Sequence, residues 1–65
     1  MSRREEIDLE IRNQAVRLAP KCNALFEFPM MIYNAIMQGN ATRKNPYKVS
    51  EKRIRDVVHA MPELN

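Results

Sequence analysis

A single cysteine in a chain of 65 residues is the feature that most limits what this sequence can fold into. A domain of that length buries only about 60% of the surface that its unfolded form exposes, and small domains commonly add disulfides or a structural metal to compensate. Cys22 has no second cysteine to pair with, and the lone His59 completes no ligand set at zinc-finger spacing. Stability must therefore come from helix packing or from self-association. The chain is 45% hydrophobic with a net charge of +3, which places it among folded rather than disordered sequences. With only one glycine and two phenylalanines, an all-α fold is expected: a small bundle of three to four short helices, in one domain covering residues 1–65.

Four helical segments can be read along the chain. Ser2 followed by Glu5 forms the pattern of a capping box, so a first helix starts there. Ile7, Ile11, Ala15 and Leu18 then fall on one face at 3.6 residues per turn, while Leu9 and Val16 lie on the other side and make a candidate dimer contact. Glu5, Glu6, Asp8 and Glu10 complement the positive end of the helix dipole; Asp8 and Arg12 are spaced as an i,i+4 ion pair, and the acids otherwise read as a solvated face. Pro20 ends this helix. Lys21 to Glu27 reads as one or two further turns, either separate from or kinked into a helix from Pro29 to Gln38 with Ile32, Ala35 and Ile36 inward. Gly39 is expected to close that helix in the left-handed conformation. Residues 39–49 read as a basic loop, after which Ser50 caps a last helix with Ile54, Val57, Val58 and Met61 as its inner stripe.

The charge is unevenly placed. Residues 1–28 carry five cations and five anions, whereas residues 29–65 carry six cations and three anions, and those six cations all lie between Arg43 and Arg55. Arg43, Lys44, Lys48, Lys52, Arg53 and Arg55, with Tyr47 and the nearby asparagines, suit a phosphate backbone: cations supply the salt-dependent attraction and amides the directed hydrogen bonds. A basic loop of this size also occurs on proteins that bind no nucleic acid. Catalysis is not expected. His59 has no serine or carboxylate at a triad-like spacing, a single glycine forms no phosphate loop, and Cys22 reads as a packed small hydrophobe, so no catalytic residue, cofactor or metal is expected. The longest apolar run, Phe26 to Met37, is twelve residues broken by Glu27, Pro29 and Asn34, too short for a membrane span; with no signal-peptide pattern, a cytoplasmic chain without membrane contact is expected.

The second half adds a resemblance. Ile32-Tyr33-Asn34-Ala35-Ile36-Met37-Gln38, a loop, and then Lys48-Val49-Ser50-Glu51-Lys52-Arg53-Ile54-Arg55-Asp56-Val57-Val58-His59-Ala60-Met61-Pro62-Glu63-Leu64-Asn65 resemble the helix-turn-helix headpiece of LacI-type repressors. The likeness covers Pro29 to Asn65. This chain departs from that family in its longer loop, in Phe26-Glu27 where alanine and glycine are expected, and in Arg53-Ile54 where the family has threonine and arginine. The resemblance implies a helix-turn-helix-like fold and a DNA-binding regulator in which Pro29, Met30 and Asn34 face base edges. Tyr33, Lys48, Ser50 and Arg53 would then meet phosphates, with Arg43, Lys44 and Lys52 adding charge. Asn34 is the best base reader, because an amide pairs bidentately with adenine, and it reads equally well as an exposed polar residue.

Two other readings stay open. Phe26, Phe28, Met30, Met31 and Tyr33 form an apolar anchor patch for a small adaptor or inhibitor that binds a host protein. RNA could instead meet the basic loop, with Tyr47 stacked on a base. Convergence of Asn34, Arg43, Lys44, Lys48 and Arg53 on one face, with Phe26, Phe28 and Met31 buried, favours nucleic acid; the opposite arrangement favours the adaptor.

Overall fold

The computed structural model describes residues 2–62. Three helices, α1 (Arg3–Leu18), α2 (Phe28–Asn40) and α3 (Glu51–His59), pack pairwise into one bundle, and no strand occurs among the described residues. The all-α expectation holds, with three α-helices and two 3-10 turns in place of a fourth helix.

Helix starts follow the capping residues. Ser2 Oγ accepts from the Glu5 amide at 3.2 Å, and Ser50 Oγ accepts from the Arg53 amide at 3.2 Å, each satisfying one of the donors that a helix start leaves unpaired. The Glu5 carboxylate turns back on the Ser2 hydroxyl, 3.3 Å away. The inward stripe of α1 is the expected one: Ile7, Ile11, Ala15 and Leu18 are all buried. They meet Phe28, Ile32 and Ile36 of α2, Ile54 of α3 and Met61 just beyond it, which together form the core. Val57, Val58 and Ala35 are partly buried against that cluster. Burying a full Ile or Leu side chain contributes about 1.5–3 kcal/mol, so this cluster is the main source of stability in a chain without staples.

The connection between α1 and α2 is two separate 3-10 turns, Ala19–Lys21 and Leu25–Glu27, with extended backbone at Cys22 and Ala24 between them. Lys21 to Glu27 is therefore neither a helix nor part of one kinked helix. Pro20 sits in the first of these turns and Pro29 in the first turn of α2, where a missing amide proton costs no hydrogen bond.

The end of α2 departs from expectation. The helix continues through Gly39 to Asn40, so the connection to α3 starts at Ala41 rather than at residue 39, and no glycine has a positive φ. What marks Gly39 is a close neighbour instead of a left-handed turn. A Cβ there would lie 3.0–3.2 Å from the Arg43 guanidinium, which folds back over this turn to the Ile36 carbonyl at 3.4 Å. Asn40 then holds the connection: its Nδ2 donates to the Tyr47 carbonyl at 2.8 Å and its Oδ1 accepts from the Tyr47 amide at 3.0 Å.

Candidate nucleic-acid interface and apolar cleft

Burial along α2 alternates in a way that exposes one stripe. Ile32 and Ile36 point inward, and Met30, Asn34 and Gln38 recur four residues apart on the outer face. Two of these three are amides. Gln38 was absent from the sequence-based candidates, although its i+4 spacing from Asn34 was the signal that could have found it. Met30 and Tyr33 share a shallow groove with Val49, Ser50 and Glu51, which brings the outer side of α2 against the start of α3. Three candidates of the DNA-facing set, Met30, Tyr33 and Ser50, thus lie together, and Asn34 is exposed on the same helix.

The cations divide into two groups. Arg43 is part-buried and tied to the scaffold: it pairs with Glu10, donates to Asn40 Oδ1 at 2.8 Å and lies 4.5 Å over the Tyr47 ring. Arg53 reaches across to α1, with Nη2 2.9 Å from Asp8 Oδ1 and 2.9 Å from the Arg4 carbonyl. Asp8 therefore meets Arg53 rather than Arg12, and Glu10 meets Arg43, so two of the four acids expected on a solvated face are tertiary partners. Arg3 completes this set, donating to the carbonyls of Asn45 and Pro46, both at 2.7 Å, and stacking on Tyr47 at 4.5 Å. Tyr47 is thereby engaged by two guanidinium groups instead of presenting a ring to a base. Such cation–π contacts contribute about 0.5–2 kcal/mol each.

Lys44, Lys48 and Lys52 form the other group. All three are exposed and make no hydrogen bond or ion pair with the described residues. Lys48 and Lys52 flank Ser50 in sequence, and Lys52 also lines an open groove between α1 and α3 with Arg3, Arg4 and Arg12, where, among the described residues, Asp8 and Asp56 supply the carboxylates. Arg4 and Arg12 were not candidates from sequence, because charge counted along the chain gave residues 1–28 no excess.

The apolar candidates separate too. Phe28 is only 6% exposed and belongs to the core, so its expected place on an interaction surface is corrected: as the first residue of α2 it faces inward with Ile32 and Ile36. Met31 and Tyr33 are half-buried against the same cluster. Phe26 is 82% exposed and its neighbour Leu25 is 89% exposed. Beside them lies a cleft of about 400 Å³ lined by Ala19, Cys22, Leu25, Phe28, Pro29, Arg55, Val58 and His59. Leu9 and Val16 are exposed on α1, as expected of a face left unused by the chain's own core.

Neither of the two discriminating arrangements is met in full, since Arg43 and Arg53 are tied inward and Phe26 is open while Phe28 is buried. No helix among the described residues is long and apolar enough to cross a membrane. Comparison with protein-family models, curated proteins and solved structures yields no match to this chain.

Proposed function

We propose that this protein binds DNA as a small helix-turn-helix-like regulator, with α2 as the reading helix. The observation that carries the reading is the outer stripe of α2, Met30-Asn34-Gln38, beside a helix start at Ser50 whose flanking lysines have no partner among the described residues. Asn34 and Gln38 each present an amide able to donate and accept toward adenine, and Met30 offers apolar contact to a thymine methyl. Lys44, Lys48 and Lys52 supply the phosphate contacts, while Arg43 and Arg53 hold the scaffold that presents them. The resemblance of the second half to LacI-type headpieces supports the same assignment of α2. Two copies acting on two half-sites would compensate for the few contacts that one chain of this size makes.

Titration of a duplex library with the whole chain at increasing salt tests this reading. Three phosphate contacts per chain reduce affinity about 40-fold between 50 and 200 mM salt, from a slope of roughly −0.9 per contact. An affinity that does not change with salt overturns it. Asn34→Ala and Gln38→Ala should flatten the sequence preference, with a loss of about 1–3 kcal/mol of discrimination for each bidentate contact removed.

A second reading rests on a separate observation, the exposure of Leu25 and Phe26 beside an apolar cleft. It makes the chain an adaptor or inhibitor docking on a host protein, with Phe26 as the anchor. Saturable, salt-insensitive capture of a single partner protein, lost on Phe26→Ala, would favour it over DNA.

A further inference from the structure

We infer that the groove between α1 and α3 is a second phosphate-contacting surface, in which Arg4 and Arg12 carry a DNA strand onward from the outer face of α2. The inference rests on the DNA-binding reading and adds to it two contacts from α1, a helix which that reading does not use.

The tertiary structure explains why these two arginines are available. Asp8 stands four residues before Arg12 and is its natural partner within the helix. Arg53 takes that carboxylate instead, with Nη2 2.9 Å from Asp8 Oδ1 and 2.9 Å from the Arg4 carbonyl. The Arg12 side chain is left exposed with no ion pair among the described residues, and so is that of Arg4. Both line the groove, and Lys52 adds a third such cation from α3. Arg3 and Arg53 line it as well, but Glu6 and Asp8 meet their charges. Among the described residues that leaves three unpaired cations in the groove against one unpaired carboxylate, Asp56, so the groove attracts anions.

Two features favour a nucleic-acid strand as that anion. Ser50 lines both this groove and the shallow one that holds Met30 and Tyr33, so the two surfaces meet at the start of α3. A strand lying against α2 is therefore led across Ser50, between Lys48 and Lys52, toward Arg4 and Arg12. The spacing of the arginines suits it too. Eight residues separate them, about 12 Å along α1 at 1.5 Å per residue. One strand carries a charge about every 3.4 Å of duplex axis, so phosphates three to four steps apart can meet both side chains.

Fluorescence anisotropy of a labelled duplex, titrated with the whole chain between 50 and 200 mM salt, tests the inference. Five contacts, the two arginines with Lys44, Lys48 and Lys52, give a slope of roughly −4.5 in log K against log salt and a loss of about 500-fold, compared with roughly −2.7 and about 40-fold for the lysines alone. The double variant Arg4→Ala, Arg12→Ala should return the slope to about −2.7 and weaken binding roughly tenfold or more at 100 mM salt. Its helical circular dichroism should be unchanged, because both side chains are exposed and unpaired. Arg17→Ala removes an exposed cation of α1 that does not line the groove, and the slope should stay as in wild type. Asp56→Asn should tighten binding severalfold by removing the carboxylate that opposes a phosphate there. A duplex affinity that does not change with salt overturns the DNA reading and the inference with it. A wild-type slope near −2.7 that the double variant leaves unaltered overturns the inference alone, and the DNA reading stands. Tighter binding of a polyglutamate peptide than of the duplex, lost in the double variant, also overturns it and assigns the groove to an acidic protein segment.

Discussion

The two ends of α1 differ in how completely the chain satisfies them. Arg3 and Leu18 are separated by about 22 Å at 1.5 Å per residue. Around the first turns of α1 the molecule is polar and its side chains are paired: Arg3, Arg43 and Arg53 bind carbonyls, Asp8, Glu10 and the Tyr47 ring, and no described buried polar side-chain atom lacks a partner. Around its last turn the molecule is apolar and open, with Leu25 and Phe26 facing solvent beside a cleft. The difference teaches that the excess of positive charge and the available surface are separate things here. Half of the six cations in the basic segment, Arg43, Arg53 and Arg55, have carboxylate partners, and the most exposed large hydrophobic side chains among the described residues lie at the other end.

The polar end is the place to break this contrast most severely. Arg43→Ala removes the Glu10 pair, two hydrogen bonds and a ring contact at once, and leaves the partly buried Glu10 carboxylate with only the Gln14 amide, 3.4 Å away. A loss of about 2–3 kcal/mol is expected from truncating one side of such a charged, hydrogen-bonded site, against a total stability of roughly 3–10 kcal/mol for a chain of this size. Thermal unfolding followed by circular dichroism should show a midpoint lowered by roughly 10 °C or more. Tyr47→Leu comes next, with about 1–2 kcal/mol lost through two cation–π contacts while the backbone clasp by Asn40 remains. Asp8→Asn should cost only about 0.5–1 kcal/mol by urea unfolding, since the Arg53 pair is partly solvated and its other hydrogen bond, to the Arg4 carbonyl, survives.

Gly39→Ala sharpens the comparison, because two effects of similar size oppose one another there. Alanine is favoured over glycine inside a helix by about 1 kcal/mol, yet the new Cβ would press on the Arg43 guanidinium. In the wild-type background the change should be near neutral. In Arg43→Ala it should stabilise by about 1 kcal/mol, and equal effects in the two backgrounds would show that Arg43 does not fill that space. At the apolar end the smallest change is expected: Phe26→Ser should leave monomer stability within about 0.5 kcal/mol, measured by denaturant unfolding at a concentration too low for association. A large loss there would mean that Phe26 packs on its own chain.

Legibility followed the range of the interaction. Both serine caps, the buried stripe of α1, the inward Ile32 and Ile36, and the core positions Ile54 and Met61 were readable from spacing, because each depends on neighbours three or four residues away. The partner choices were not. Asp8 sits four residues from Arg12, the pairing that local spacing suggests, but it bonds Arg53, 45 residues away. Gly39 looked like a helix terminator for the same reason: what marks it is a guanidinium arriving from the following turn, which leaves no mark in the helical period.

The candidate site divides along the same line. Asn34 and Met30 on the outside of α2 were legible, as was Ser50 at a helix start and, through its spacing from Asn34, Gln38, whereas Arg4, Arg12 and Leu25 became visible only from burial and from the grooves they line. By itself the sequence determined that this protein is helical, where α1 and α3 start, and most of the residues that each helix turns inward. Local spacing and capping are enough for that. Only the tertiary structure decided which cations remain available, which of two phenylalanines separated by one residue is core and which is surface, and that the chain leaves one apolar end uncovered. Those outcomes depend on how α1, α2 and α3 are brought together, and no period within a single helix encodes them.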